Sequence, residues 1–333
     1  MFEKVNPGHP DKMADRLAGA VVDLVYERAG GLTKANPRVA CEVMAGHGRV
    51  DVQIETSLGR MDLRAEDIDP LIRRLFGERV EGNVLIAPQD AHLSDNQTRG
   101  LRCGDNGIFR GCPPTEEQRV LTAIAATMWE RFKSDGKYII DATDVERIEH
   151  EGIITHEKWA TYKMGSLNNL TICQSNATAE EIEEVIEAWD EQNDHILSSQ
   201  GRLWRWPYMI HNPLGPWTGG IDVDCGCTNR KLGSDMGDGV TGGGLMGKDL
   251  SKADVSVNIV CYLKAVASGQ VVTAMCSIGD ESVTFVYHDG HRETETFADI
   301  VEMARLYILT DCGGSFERFA EWGLLRPKAQ IDN

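Results

Sequence analysis

Apolar residues recur at helical spacing near the start of the chain. The stripe from Met13 to Val25 predicts an amphipathic helix that ends at Gly30 and Gly31. The period then changes to strict alternation, which predicts strands at 38–44 and 50–57. The short sequence Gly46-His47-Gly48 between them is typical of a hairpin turn. The chain therefore opens with a helix followed by a strand pair.

The remainder of the chain alternates between the same two periods. Helices are predicted at 66–76, 115–133 and 298–309, and another begins at the capping box Thr178-x-x-Glu181; strands are predicted at 271–277 and 283–288. Paired strands followed by a helix occur at 38–76, near 147–196 and at 271–309. This arrangement predicts an α+β protein built from three similar sub-domains.

Composition and charge narrow the function classes. The 333 residues carry a formal net charge of -18, which disfavours a general nucleic-acid binder or a protein of anionic membranes, because both need an excess of cations. The nine cysteines include no C-x-x-C pair, which is typical of reduced thiols in a cytoplasmic protein. We see no apolar signal region at the N-terminus and no run long enough to span a membrane.

The segment from Gly219 to Asp254 concentrates the candidate chemistry. Ten glycines fall between Gly219 and Gly247, and the segment interleaves cations with carboxylates. Glycine allows sharp turns and close approach of the backbone to a ligand, fixed cations suit an anion, and carboxylates suit a bridging metal. We therefore predict a polyphosphate and magnesium site; a long solvated loop is the alternative. Ser251 is a candidate N-cap of a following helix, whose amides attract phosphate.

A second candidate lies at the start of the first helix, in Pro7-Gly8-His9-Pro10-Asp11-Lys12. An imidazole, a carboxylate and an ammonium at a helix N-terminus could contact phosphate and magnesium together. The alternative is an ordinary helix cap with an exposed histidine. His-Pro-Asp also occurs in J-domain co-chaperones, but there a helix precedes it, and the residues before His9 leave no room for one.

Three further features bear on the site. Glu42 lies inside the apolar strand Val39–Val43, so it either needs a buried partner or faces solvent. The turn-rich stretch 94–107 carries polar side chains that could bind a small ligand. Gly242-x-x-x-x-Gly247-Lys248 matches most of a P-loop, which favours a nucleotide hydrolase or kinase. However, Asp249 replaces the usual Ser or Thr, and no apolar strand precedes the motif.

Several motifs together resemble one enzyme family. They are Gly8-His9-Pro10-Asp11-Lys12, Val39-Ala40-Cys41-Glu42, Gly104-Asp105-Asn106-Gly107, Asn212-Pro213, Asp224-Cys225-Gly226, Arg230-Lys231, Gly242-Gly243-Gly244, Gly247-Lys248-Asp249 and Ser251-Lys252-Ala253-Asp254. Their order resembles that of the S-adenosylmethionine synthetases (methionine adenosyltransferases), from residue 8 to about residue 320. The resemblance implies formation of S-adenosylmethionine from ATP and L-methionine, with release of phosphate and pyrophosphate and with Mg²⁺ and K⁺ as cofactors.

The resemblance also implies an architecture. Three interleaved βαβ-type sub-domains with pseudo-threefold symmetry would occupy residues 1–98, 110–211 and 212–333. The protein would self-associate as a homodimer or a dimer of dimers, with active sites at the subunit interface. No nucleic acid and no membrane are expected as partners.

The resemblance implies roles for individual residues. The expected catalytic residues are His9, Arg230, Lys248 and Lys252. ATP binding is expected at these four and at Asp141, Trp217, Lys231 and Gly244. Methionine binding is expected at Glu55, Gln97, Asp105, Asp224 and Lys252. The expected metal ligands are Asp11 and Asp254 for magnesium and Glu42 for potassium.

The sequence departs from the family pattern at two places that bear on function. Six residues, 98–103, separate Gln97 from Gly104 where the family has a longer loop that covers the site, and Thr143 follows Asp141-Ala142 where the family has a lysine. These departures keep a non-catalytic nucleotide-binding relative, or an ATP hydrolase, in view as alternatives.

Overall fold

The computed structural model describes residues 2–59, 61–90, 100–141, 167–199, 205–212 and 215–327. The described residues form three four-stranded sheets with helices packed on them. The chain divides into two compact units. The first comprises residues 1–9, 115–220 and 327–333, and the second comprises residues 10–114 and 221–326. The predicted α+β class is confirmed at the level of mixed helices and sheets.

The first unit is built on a sheet with the strand order β1-β6-β7-β8. Its strands are β1 (Phe2–Val5), β6 (Gly136–Asp141), β7 (Leu167–Gln174) and β8 (Arg205–His211). The first three pair antiparallel, and β8 runs parallel to β7. Helix α3 (Glu116–Phe132) packs on β1 and β6, and helix α4 (Ala179–Ser199) packs on α3.

The second unit contains the sheet β4-β3-β2-β9. Strands β2 (Val39–Gly46) and β3 (Arg49–Thr56) form the predicted hairpin, β4 (Glu81–Pro88) runs parallel to β3, and β9 (Cys225–Cys227) pairs with the end of β2. Helix α1 (Pro10–Arg28) covers the apolar face of β2 and β9, and helix α2 (Asp69–Phe76) contacts α1. Alternation along β3 places Val50, Val52 and Ile54 in the core, as predicted.

The other sheet of the second unit has the order β12-β11-β10-β5. It consists of β5 (Gly107–Gly111), β10 (Val272–Cys276), β11 (Ser282–Tyr287) and β12 (Arg292–Thr296). Helix α6 (Ala253–Ser268) packs on β5 and β10, and helix α7 (Phe297–Asp311) packs on α6. The short helices α5 (Leu232–Met236) and α8 (Phe316–Trp322) complete the unit, and α8 packs on α1.

The local predictions are largely confirmed, with small corrections. The capping box at Thr178 and Glu181 forms in both directions, because each side chain accepts a hydrogen bond from the other residue's amide. The cap of α6 is Lys252 and not Ser251, since Ser251 belongs to a tight turn closed by Asp249. Strand β12, with alternating Arg, Glu and Thr, escaped prediction because it lacks an apolar pattern.

Among the described residues, every helix is too short or too polar to span a lipid bilayer.

Candidate functional site

The first turn of α1 carries an aspartate that faces the segment after β9. Asp11 is 3% exposed, and its Oδ1 accepts a hydrogen bond of 2.9 Å from the amide of Cys227. The guanidinium of Arg230 lies 3.5 Å from Asp11 Oδ1, and the ammonium of Lys231 lies 4.0 Å from Asp11 Oδ2. Gly226 permits this approach, since a Cβ there would lie 2.0 Å from the carbonyl oxygen of Pro10. One carboxylate and two cations thus share one place.

Lys12 does not join this group, contrary to the sequence-based expectation. Its side chain is buried, and its Nζ lies 3.1 Å from Asp15 Oδ2 and 2.6 Å from Asp235 Oδ1. Burial opposes the charged ammonium, but attraction to the two carboxylates is stronger in sum and raises the pKa of Lys12. Its helical position decides the outcome, because residue 12 points into the unit where residue 11 points towards residues 227–231.

A second group of charges lies at the start of α6. Lys248 Nζ is 2.7 Å from Asp254 Oδ2, and Lys252 Nζ is 3.5 Å from Asp105 Oδ1. Burial raises the pKa of Asp254 above its ordinary value, while the ammonium of Lys248 acts to lower it. The other oxygen of Asp105, Oδ2, is buried and has no hydrogen-bond partner among the residues that the structure describes. Two carboxylates and two cations therefore meet here, and one carboxylate oxygen is left unsatisfied.

The glycine turn at residues 242–244 lies between the two charged groups. Gly243 has a φ of +79°, and a Cβ on it would lie 2.2 Å from Asp254 Oδ1. A Cβ on Gly244 would lie 2.5 Å from Nδ2 of Asn229, the residue before Arg230. Glycine at these two positions therefore lets the backbone pass closely between Asp254 and Asn229, and the positive φ of Gly243 favours glycine there. The turn brings the Asp11 group and the Asp254 group into one neighbourhood.

Sequence reasoning missed the residue that anchors this segment. Asp249 is fully buried, and its two carboxylate oxygens accept hydrogen bonds of 2.8 Å from the amides of Val39 and Ser251. Its own amide donates to the carbonyl oxygen of Val39 at 3.1 Å. The segment is thereby fastened to β2, so it is not a solvated loop. Asp249, which follows the P-loop-like residues 242–248, therefore has a structural role. Among the described residues, the last element before Gly242 is a 3₁₀ turn at Gly237–Gly239, where a P-loop has a strand.

The carboxylates of the β2–β3 hairpin lie on the outer face of their sheet. Glu42 is exposed and accepts a hydrogen bond from the hydroxyl of Thr228, so the solvent-facing interpretation is the correct one. It is not on an edge strand, since β2 has partners on both sides. Glu55 is half-buried on the same face, opposite Ala40, and Asp224 is exposed beside β9.

Two of the predicted site residues belong to the first unit, and the side chains of two others are outside the described residues. His9 is half-buried and belongs to the first unit, where its amide donates to the carbonyl oxygen of Asn6 at 3.1 Å. Trp217 is also in the first unit and is 38% exposed. Asp141 ends β6, but its side chain is outside the described residues, as are Gln97, Thr143 and residues 98–99 of the short loop.

The carboxylates of the two charged groups suit only one kind of magnesium site. Among the described residues, no three His, Cys, Asp or Glu side chains are grouped as a metal site. Asp11 instead lies beside Arg230 and Lys231, and the pair Asp254 and Asp105 lies beside Lys248 and Lys252. Such a set fits an Mg²⁺ ion that takes one or two carboxylates from the protein and its other ligands from substrate phosphates and water. It does not fit a metal bound by protein groups alone.

Comparison with curated proteins finds S-adenosylmethionine synthases among the relatives of this chain. An S-adenosylmethionine synthase of Jannaschia sp. is 26% identical over 99% of this chain and 93% of its own length. An S-adenosylmethionine synthase of Cereibacter sphaeroides is 26% identical over 93% of this chain and 84% of its own. No family model matches the chain.

Comparison with solved structures finds a similar fold. The structure of an unusual S-adenosylmethionine synthetase from Campylobacter jejuni has a TM-score of 0.59 and covers 96% of this chain and 88% of its own. The identity between the two is 17%, so this likeness concerns the fold alone.

Proposed function

Because the chain belongs to the S-adenosylmethionine synthase family, we propose that it transfers the adenosyl group of ATP to L-methionine. The products are S-adenosylmethionine, phosphate and pyrophosphate. One observation carries the proposal: the glycine turn joins two groups of fixed charges, Asp11 with Arg230 and Lys231, and Asp254 with Lys248. Such an array suits a polyphosphate that extends past both groups.

The proposed reaction needs no protein nucleophile. The methionine sulfur forms a bond to ribose C5′ while the bond from C5′ to the triphosphate oxygen breaks, and the electron pair leaves with the triphosphate. Catalysis is then positioning together with stabilisation of the negative charge on the leaving group. Arg230, Lys231, Lys248 and Lys252 supply that stabilisation, with His9 as a further phosphate contact. Water then cleaves the released tripolyphosphate into phosphate and pyrophosphate.

Metal ions complete the proposed site. Asp11 and Asp254 would hold magnesium, which would neutralise charge on the phosphate oxygens. Glu42 would be the carboxylate at a potassium ion, on the outer face of its sheet. Both carboxylates proposed for magnesium already contact cations here, so the same cations can turn to the phosphates once metal and nucleotide bind.

Methionine binding is proposed around Asp105. Its unsatisfied Oδ2 is a buried acceptor, which suits the α-ammonium group of an amino acid. Lys252, 3.5 Å from the other oxygen, suits the α-carboxylate. Glu55, Gln97 and Asp224 are the other residues proposed on this side. Asp141, Trp217 and Gly244 are proposed on the nucleotide side.

Self-association is part of the proposal. Two sheets of the second unit expose large apolar side chains on their outer faces: Met44 at 59%, Leu85 at 57%, Ile108 at 60% and Met275 at 71%. Exposed apolar groups clustered on a sheet face are typical of an interface. A homodimer or dimer of dimers would cover them and would bring the exposed Glu42 into an interface. A cytoplasmic location belongs to the same proposal.

The proposed architecture is that of the family. It has three sub-domains with pseudo-threefold symmetry, at about 1–98, 110–211 and 212–333. The three four-stranded sheets, each with packed helices, support this proposal.

The deciding experiment supplies the protein with ATP, L-methionine, Mg²⁺ and K⁺ and follows S-adenosylmethionine by mass spectrometry, with phosphate and pyrophosphate. We expect all three in equal amounts, and none of them without methionine. ATP hydrolysis that is independent of methionine would favour a hydrolase. ATP binding without turnover would favour a non-catalytic relative.

A further inference from the structure

Lys12, Asp15 and Asp235 are three charged side chains that the proposed reaction does not use. All three are buried, at 0% exposure. Lys12 Nζ lies 3.1 Å from Asp15 Oδ2 and 2.6 Å from Asp235 Oδ1. The ammonium therefore links helix α1 to helix α5. A buried ion network is weak evidence for stability, because desolvation offsets most of the attraction between the charges. Its contacts with the neighbouring backbone point to another role.

Asp15 reaches the segment that carries the phosphate cations. Its Oδ1 accepts a hydrogen bond of 2.8 Å from the amide of Asn229, the residue directly before Arg230. Asp11 lies one helical turn earlier, and it accepts from the amide of Cys227 at 2.9 Å. Two carboxylates on successive turns of α1 thus bind alternate amides, one at the end of β9 and one in the turn at residues 228–231 that follows it. The direction of that segment is set by the helix.

The network also fixes the other end of the same segment. Asp235 follows Lys231 by one turn, and its amide donates to the carbonyl oxygen of Lys231 at 3.0 Å. Asp235 is in turn held by Lys12. Arg230 and Lys231 therefore lie between two anchors, Asn229 on Asp15 and Asp235 on Lys12. The side chain of Arg230 is 59% exposed above this fixed backbone.

We propose that Asp15 is a positioning residue, which Lys12 and Asp235 hold in place so that its bond to Asn229 aims Arg230 and Lys231 at the triphosphate. The proposal rests on the proposed function, because it assigns those two cations to the phosphates. It gives Lys12 a role beneath the site in place of the direct phosphate contact that the sequence suggested.

The test measures binding of inorganic tripolyphosphate with Mg²⁺ by calorimetry, together with the KM for methionine and kcat. Asp15→Leu keeps the Lys12–Asp235 pair and removes the acceptor of the Asn229 amide. We expect the Kd for tripolyphosphate to rise about tenfold, while the KM for methionine stays within about twofold of wild type. Asp15→Asn, whose amide oxygen can accept the same bond, should recover most of the binding.

A matched control comes from the same helix. Asp23 accepts bonds from the amides of Phe316 and Glu317, at 2.7 and 3.1 Å, and so ties α1 to α8 in the way that Asp15 ties it to residue 229. Asp23→Leu should lower the melting temperature without a selective change in tripolyphosphate binding. If Asp15 served stability alone, Asp15→Leu would likewise lower the melting temperature without a selective change in tripolyphosphate binding.

The outcomes separate this inference from the proposed function. Wild-type protein that neither binds tripolyphosphate nor forms S-adenosylmethionine refutes the proposed function. Wild-type protein that does both, with Asp15→Leu binding as tightly, overturns the positioning role alone. If Asp15→Leu does not fold, Asp15→Glu displaces the acceptor by one methylene and should show a smaller loss in the same direction; unchanged binding in Asp15→Glu would then overturn the role.

Discussion

Replacing Lys248 by methionine tests whether its ammonium serves catalysis or only the stability of the fold. In the structure Lys248 Nζ lies 2.7 Å from Asp254 Oδ2, and the two side chains are 16% and 11% exposed. The substitution keeps the aliphatic stem and removes the ammonium, so it leaves the Asp254 carboxylate partly buried without this partner. The loss of such a charge-assisted hydrogen bond costs about 1–3 kcal/mol of folding free energy. Most of the protein would remain folded at room temperature.

The expected effect on activity is larger than this stability cost. If Lys248 stabilises the charge on the leaving triphosphate, its loss should raise the barrier by about 3–4 kcal/mol, which lowers kcat by roughly 10²–10³-fold. A change in the folded fraction cannot account for so large a fall. The rate and the stability therefore report on different roles of the same ammonium.

Lys264 provides a matched control within the same unit. Its side chain is 14% exposed, and its Nζ lies 2.6 Å from Glu293 Oε2 and 3.0 Å from Glu295 Oε1. Lys264→Met should therefore cost a similar amount of stability. Lys264 takes no part in the proposed reaction, so the kcat of Lys264→Met should stay within about twofold of wild type.

The assay is S-adenosylmethionine formation at saturating ATP and methionine, with thermal unfolding of each variant measured in parallel. Lys248→Met could instead keep more than half of the wild-type kcat and lose only as much stability as Lys264→Met. That result would refute the assignment of Lys248 to the leaving triphosphate. It would leave the Lys248–Asp254 pair as a structural ion pair only.

Three further changes test other parts of the structure. Gly226→Ala places a Cβ 2.0 Å from the carbonyl oxygen of Pro10, so it should destabilise the protein by about 1–3 kcal/mol in thermal unfolding and should weaken tripolyphosphate binding. Burial raises the pKa of Asp15 to about 7 from 3.8, so the folded state retains a proton that the unfolded state releases, and stability falls as the pH rises between those values. Asp15→Asn should therefore gain stability relative to wild type across that window, by at most about 4 kcal/mol in urea unfolding. Met275→Glu, at a side chain 71% exposed, should lower the oligomer mass in analytical ultracentrifugation.

Each of these has a clear contrary result. Wild-type stability in Gly226→Ala would mean that α1 and β9 can separate without cost. A parallel pH dependence of wild type and Asp15→Asn would mean that Asp15 titrates alike in the folded and unfolded states. An unchanged mass for Met275→Glu would exclude that sheet face from the assembly.

The local structure of this protein could be predicted because it depends on neighbours in sequence. The apolar stripe of α1 and the alternation in β2 and β3 follow from the periods of a helix and a strand, and the capping box at Thr178 follows from a short-range hydrogen bond. Strand β12 shows the limit of such reasoning, because its residues have no apolar period and the strand forms by pairing with β11. The candidate site was found for a similar local reason, since glycine density and interleaved charge mark a segment that cannot form a core element.

The roles of individual charges were decided only by the tertiary structure. Lys12 and Lys252 are the same residue type near two helix starts, yet Lys12 is buried between aspartates and Lys252 lies beside Asp105. Asp249 and Asp254 are close in sequence, yet Asp249 binds backbone amides while Asp254 pairs with Lys248. A sequence fixes which groups exist and which helical face or strand face they share. The partner that each charge finds depends on segments that are distant in sequence, as with Lys12 and Asp235, whose residue numbers differ by 223. Only packing brings such segments together.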